Sequence, residues 1–188
     1  LTLAVSSRES ANALAAVMNV PVDVMIKLDT GYGRSGIKSQ DIKAISSCLA
    51  AINNSEKLNF KGFFSHAGNS YGAKSVNVLE SIHHNNLKQL QHIRTQFQDR
   101  DFIISTGDTP TFCRMDSFDG VDELRPGNAV YFDVMQMHLE SCQQQQIAVC
   151  LACPVIDIHK DRGQVVVHGG GVHLSKERLS IDGQDFYG

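Results

Sequence analysis

Four apolar, β-prone runs in this chain each end in a polar turn that carries a glycine, and helix-like segments separate them. Val22–Leu28 leads into Asp29-Thr30-Gly31, and Phe60–Ser65 into His66-Ala67-Gly68. Phe102–Ser105 leads into Thr106-Gly107-Asp108, and Val121–Leu124 into Arg125-Pro126-Gly127-Asn128. A further apolar run, Leu1–Val5, opens the chain. Ser7–Asn19, Ser39–Ile52 and Ala73–Phe97 carry apolar residues at helical spacing, with Ser7 and Ser39 as candidate caps. The expected buried stripe of the long third helix is Val76, Leu79, Ile82, Leu87, Leu90, Ile93 and Phe97. Strands alternating with amphipathic helices predict a parallel sheet with helical crossovers. In a (β/α)8 barrel the turns that follow the strands form one face, and that face carries the chemistry. A doubly wound open sheet fits the same alternation.

After Gln136 the character changes. Gln143–Gln146 is a polar run, Ile147–His159 a long β-prone stretch, and Asp161-Arg162-Gly163 a tight turn before a returning strand at Gln164–His168. The expected fold is therefore α/β. It is part of a (β/α)8 TIM barrel over residues 1–140, followed by the start of an antiparallel β domain over residues 141–188.

The 188 residues are 42% hydrophobic and carry a formal net charge of −3, mild and mixed in sign. This charge gives no electrostatic case for nucleic acid or an acidic membrane surface. No apolar run approaches the roughly 20 residues that span a bilayer. The chain opens on Leu1 without a secretory pattern, so a start within a longer protein and a cytoplasmic location are the expectations. Cys150 and Cys153 form a C-x-x-C pair, but no second pair follows. Reduced thiols are expected there, not a redox or zinc centre.

KLDTGYGRSG (Lys27–Gly36), SHAGNSYG (Ser65–Gly72), STGDTPT (Ser105–Thr111) and ELRPGNAVYFD (Glu123–Asp133) occur in this order. Each alone is weak evidence, since a glycine after a strand is ordinary turn geometry. Together they resemble the alanine-racemase-like barrel family of pyridoxal phosphate enzymes. The resemblance is strongest to the branch that holds D-threonine aldolase and D-serine dehydratase, and it covers nearly the whole chain. It implies pyridoxal 5'-phosphate as cofactor and a small D-amino acid as substrate. It also implies a head-to-tail homodimer, whose interface would include the aromatic edge Tyr131–Met137.

The chemistry such a cofactor needs matches residues at the turns. Ser105-Thr106-Gly107-Asp108-Thr109 offers hydroxyls and backbone N–H groups for a dianionic phosphate, with Thr109 expected to donate from an exposed turn. Pro110 at a helix start would aim that helix N-terminus at the same anion. Gly127 and Asn128 can supply further backbone donors. The resemblance implies that Arg34 approaches the 3-hydroxyl side of the ring and that His66 packs near it. It implies that Arg125 faces the ring nitrogen, although an outward salt bridge competes with that reading. Asn69, Ser70 and Tyr71 lie in the next loop, within reach of substrate or phosphate. For each of these residues the alternative is an ordinary capped turn or a structural side chain.

By the same resemblance, the Schiff-base lysine lies upstream of Leu1, and Lys27 props an arginine. A divalent metal, zinc or manganese, would be held by residues outside this segment. His168 and His173 lack a third ligand at useful spacing, so no metal site is expected within these residues. The implied reaction is that of a lyase on a β-hydroxy D-amino acid, either dehydration or retro-aldol cleavage. The alternatives are an amino-acid racemase, a non-catalytic pyridoxal phosphate carrier and a sugar-phosphate barrel enzyme.

Overall fold

The computed structural model describes every residue except 171, 174, 175, 177, 182 and 188; at 179, 181, 184, 186 and 187 only the backbone is described. The chain divides into two compact units, Leu1–Ala129 and Val130–Gly188.

The first unit is a parallel sheet with helices packed against it. Its strands are β1 (Thr2–Val5), β2 (Val22–Asp29), β3 (Ile37–Lys38), β4 (Leu58–Ser65), β5 (Ile103–Thr106) and β6 (Glu123–Leu124). They pair in the order β1-β2-β4-β5-β6, with β3 beside β2 and every pair parallel. This order never reverses along the chain. A doubly wound sheet needs a reversal at its switch point, so the sequence ambiguity resolves to an arc of a barrel.

The helices are α1 (Arg8–Val17), α2 (Ile42–Asn53), α3 (Val76–Gln96) and the short α4 (Thr109–Arg114). Ser7 caps α1 as expected, with Ser10 completing a capping box. Ser39 does not cap α2. Asp41 does, by accepting the Ala44 N–H, while the Ser39 hydroxyl is buried and donates to Gln89. The carboxylate two residues further on took the role expected of Ser39.

The core lies between sheet and helices. Val24, Ile26 and Leu28 of β2 pack there with Ile45, Leu49 and Ile52 of α2 and with Leu90 and Ile93 of α3. The other sheet face carries Met25, Phe64, Ile103, Glu123 and Arg125 around a hollow of about 380 Å³. The Lys61–Asp23 ion pair (3.6 Å) lies on the same face.

One irregularity sets the register. Val24 pairs with Phe60 but Met25 pairs with Gly62, so β4 carries an extra residue at Lys61. Gly62 has φ +155°, and a Cβ there would stand 1.9 Å from the Ile103 carbonyl oxygen. Only glycine lets β4 approach β5 so closely at that bulge.

In α3 the buried face departs from the expected stripe. It runs through Leu79, His83, Asn86, Leu90 and Ile93, while Val76 is 37% exposed. The phase of the helix is set by polar as well as apolar partners, as the site shows.

The second unit begins with a short helix, α5 (Val134–His138), capped by Asp133. Two antiparallel hairpins follow, β7 (Val155–His159) with β8 (Gln164–Val167) and β9 (Arg178–Ile181) with β10 (Gln184–Tyr187). The turn at residues 160–163 lies where the sequence predicts it, with Gly163 at φ +62°. The strand is shorter than expected, because residues 147–154 adopt no regular strand and only Val155–His159 does. No helix among the described residues is long and apolar enough to cross a membrane.

Candidate functional site at the strand ends

The turns after β2, β4, β5 and β6 gather at the carboxyl ends of the parallel strands. The turn after β2 is fixed by its own first residue. Asp29 accepts the N–H groups of Gly31 and Gly33, each at 3.0 Å. Burial works to raise the Asp29 carboxyl, but N–H bonds from Gly33, Gly31 and Tyr32 and the charge of Lys38 outweigh it and hold it low. This turn presents Tyr32, whose ring meets His66 edge-on at 5.8 Å, and Arg34, whose guanidinium lies 5.0 Å from the Tyr32 ring centre. Arg34 thus joins the site through Tyr32.

His66 stands at the end of β4 between Tyr32 and Tyr71, whose ring centre is 6.2 Å away. Its Nδ1 lies 2.6 Å from the Gly107 carbonyl oxygen. A carbonyl only accepts, so Nδ1 carries the proton, and the other ring nitrogen is the one available to a ligand.

The 3₁₀ turn Gly68–Gly72 brings Tyr71 to the start of α4, where the Thr109 N–H donates to the Tyr71 hydroxyl (3.3 Å). The Asn128 N–H in turn donates to the Thr109 hydroxyl (3.1 Å). Three turns therefore converge on Thr109, which is fully buried, contrary to the exposed position expected from sequence. The Thr109 and Tyr71 hydroxyls are engaged as acceptors and each keeps a proton to donate. A Cβ at Gly127 would find nothing within 4 Å, so space is open beside the turn after β6. The Tyr71 hydroxyl beside an open glycine turn fits a phosphate group.

Other parts of the expected cradle are arranged differently. The N-terminus of α4 has no idle donor in its first turn. The Thr109 N–H meets Tyr71, Pro110 has none, and the Thr111 N–H meets the capping carboxylate of Asp108 at 2.9 Å. Asp108 also accepts the hydroxyls of Ser70 (2.7 Å) and Thr111 (2.9 Å), so this buried carboxylate is fully bonded. Gly107 is glycine because of its neighbour: a Cβ there would stand 2.5 Å from the Arg125 carbonyl oxygen.

Arg125 lies across the sheet face, 5.0 Å from the Phe64 ring centre. It donates from Nε to the Ser105 hydroxyl and from Nη2 to the Ser65 carbonyl, both at 2.7 Å. Glu123 stands 3.7 Å away. Burial lowers the Arg125 pKa, and Glu123 opposes that shift. The Ser105 hydroxyl in turn donates to Glu123 (2.5 Å). Lys27 shares the Phe64 ring, at 5.9 Å, and donates to Ser35 at 2.6 Å. Burial and the cations Arg34 and Arg125 push the Lys27 pKa down against the pull of Asp29.

Asn86 is the site residue that sequence reasoning missed. It reaches Thr30, Ser65 and Thr106 from α3. Its signal was present, since a polar residue stands in phase with Leu79, Leu90 and Ile93. Among the described residues no three metal-ligating side chains gather.

Residues 1–134 match the family model of the alanine racemase N-terminal domain. The chain belongs to that family. It is 26% identical over 193 residues to D-threo-3-hydroxyaspartate dehydratase of Delftia sp. (strain HT23), a match that covers 99% of this chain and 50% of the relative. The solved structure of that enzyme superposes with a TM-score of 0.86 over 95% of this chain and 48% of its own. The D-serine dehydratase of Dictyostelium discoideum is 25% identical over 164 residues, 82% of this chain and 41% of the relative. D-threonine aldolase of Filomicrobium marinum shares the fold, with a TM-score of 0.64 at 19% identity over 73% of this chain and 38% of its own. The chain spans about half the length of the relatives it matches.

Proposed function

We propose that the protein to which this chain belongs is a pyridoxal phosphate-dependent lyase acting on a β-hydroxy D-amino acid. The observation that carries this reading is coverage. Two dehydratases of such substrates match 99% and 82% of the chain in sequence, whereas an alanine racemase matches 44%, and a racemase structure that covers 98% of the chain superposes with a TM-score of only 0.57 against 0.86 for the dehydratase. Pyridoxal phosphate, when bound, supplies a carbonyl for the substrate amine and an electron sink for the bond broken at Cα.

In this reading the chain's own residues bind and orient. The Thr109 and Tyr71 hydroxyls donate to the phosphate, and the open Gly127–Asn128 turn lets it approach. Gly107, Ser105 and Thr106 form the rung beneath, with both hydroxyls committed inside the protein. His66, held by Gly107 and flanked by two tyrosines, packs against the ring. Arg34 and Arg125 place fixed positive charge on its two sides. The Schiff-base lysine and the ligands for a divalent metal, zinc or manganese, come from residues outside this chain. A variant of D-threo-3-hydroxyaspartate dehydratase has been solved in a metal-free form, which supports a metal in this branch. Residues 1–140 are then the barrel part, and residues 141–188 the start of the β domain. A cytoplasmic homodimer completes the reading. Tyr131, 58% exposed, lies in its interface, and the free thiols of Cys48, Cys142, Cys150 and Cys153 suit a reducing compartment.

The test uses the full-length protein with D-threo-3-hydroxyaspartate, D-serine and D-threonine. A 2-oxo acid with ammonia marks dehydration, and glycine with an aldehyde marks cleavage. Formation of the L-enantiomer alone would make it a racemase.

A further inference from the structure

Three strand ends meet one side-chain amide. Thr30 follows β2, Ser65 ends β4 and Thr106 ends β5. The Thr30 hydroxyl donates to Asn86 Oδ1 at 2.7 Å, and the Ser65 hydroxyl donates to the same oxygen at 3.1 Å. Asn86 Nδ2 donates to the Thr106 hydroxyl at 3.1 Å. Ser65 has then spent its proton, so the 2.8 Å contact between the Ser65 and Thr106 hydroxyls runs from Thr106 to Ser65. Ser65, Asn86 and Thr106 form a closed ring in which each donor has one acceptor.

All four residues are buried, at 5% exposure or less. With water excluded, a broken member strands its partners, which makes the ring stiff. Each strand residue also adjoins a part of the site. Thr30 precedes the glycine turn that presents Tyr32 and Arg34, Ser65 precedes His66, and Thr106 precedes Gly107. One turn further along α3, Gln89 donates to the Thr30 carbonyl at 2.8 Å and accepts from Ser39 on the far side of the same loop.

We propose that Asn86 is the positioning residue that holds the ends of β2, β4 and β5 at one level and so fixes the spacing of the site turns. The link to cofactor binding rests on the function proposed above; the positioning itself does not.

The test uses the full-length protein without cofactor, by amide hydrogen exchange, and then by titration with pyridoxal phosphate. Asn86→Leu is compared with Leu90→Ala, which opens a cavity one turn along the same helix face without removing a member of the ring. The probes are the amides of Gly31, Gly33 and Arg125, bonded to Asp29 and to the Thr106 carbonyl, against those of Ile26 and Ile104 inside strands. In Asn86→Leu, exchange at the three turn amides is expected to rise about tenfold relative to the strand interiors, with pyridoxal phosphate affinity falling about tenfold. Leu90→Ala lowers the melting temperature with neither change. If Asn86→Leu lowers the melting temperature while exchange rises only in step with the strand interiors, the proposal is overturned. If Asn86→Leu does not fold, Thr106→Val removes one ring member and is read in the same way. An exchange shift in a protein that binds no pyridoxal phosphate upholds the positioning role and refutes the cofactor reading.

Discussion

The Nδ1 of His66 lies 2.6 Å from the carbonyl oxygen of Gly107, joining the end of β4 to the turn after β5. His66→Leu keeps the apolar contact area but removes the donor, and it leaves a buried carbonyl unpaired. The expected cost is about 1–3 kcal/mol of stability in the full-length protein. Urea denaturation measures it, and a midpoint within error of wild type would mean that the carbonyl finds another donor.

Thr109→Ala has two separable costs. The Thr109 hydroxyl accepts the Asn128 N–H inside the protein, so the cofactor-free variant is expected to lose about 1 kcal/mol. Its proton is the one assigned to phosphate. Losing that charge-assisted bond should weaken pyridoxal phosphate binding by about 1.5–3 kcal/mol, ten- to a hundredfold. Parallel melting and cofactor titration distinguish the two, and unchanged affinity would move the phosphate elsewhere.

Two glycines separate fold from binding. Gly107→Ala drives a methyl to 2.5 Å from the Arg125 carbonyl, so β5 and β6 must part at their ends. A loss of about 2 kcal/mol or more is expected without any ligand. Gly127→Val meets no protein atom within 4 Å of its Cβ, and its stability should stay within about 0.5 kcal/mol of wild type. Its effect should appear as lost cofactor affinity. Equal melting temperatures for the two variants would contradict this division.

The Asp29 carboxyl is held below its ordinary value of 3.8. Its folded pKa is lower than its unfolded one, so the unfolded chain binds the proton first as pH falls. The stabilisation is fully present above 3.8 and is lost as pH drops through the folded value. Asp29→Asn should therefore flatten the stability profile in that acid range while leaving the slope near neutrality unchanged. Denaturation midpoints measured across pH would show it, and parallel profiles would discount the N–H bonds of Gly31 and Gly33.

Lys27 faces cations, Ser35 and the Phe64 ring. Borohydride reduction of the full-length protein with pyridoxal phosphate should label a lysine outside these residues. Stoichiometric labelling of Lys27 by peptide mass would reverse the assignment.

Much of the first unit was legible because strand and helix periods differ and glycine marks the turns. Ser7 as a cap and the hairpin turn at Asp161-Arg162-Gly163 followed from local chemistry alone. Ser39 was misjudged as the cap of α2, because the partner that takes its hydroxyl, Gln89, lies fifty residues away in the chain. Thr109 was misjudged as exposed for a similar reason: its partners, Tyr71 and Asn128, come from two other turns. The site residues were legible as a set, and their division of labour was not. The hydroxyls of Ser105 and Thr106 look identical in sequence to that of Thr109 until their partners are known.

The extra residue at Lys61 has a further effect on β4. Side chains alternate between faces along a strand, and an insertion reverses the count beyond it. Phe60 and Phe63 therefore pack together, with ring centres 5.2 Å apart, although an unbroken strand would put them on opposite sides. The same reversal turns Ser65 towards α3 and His66 towards the mouth of the sheet. Were Lys61 instead paired opposite Met25, with no bulge, those two positions would exchange, the hydroxyl facing the mouth of the sheet and the imidazole facing Asn86. A single residue near the middle of a strand thus decides which chemistry its far end presents.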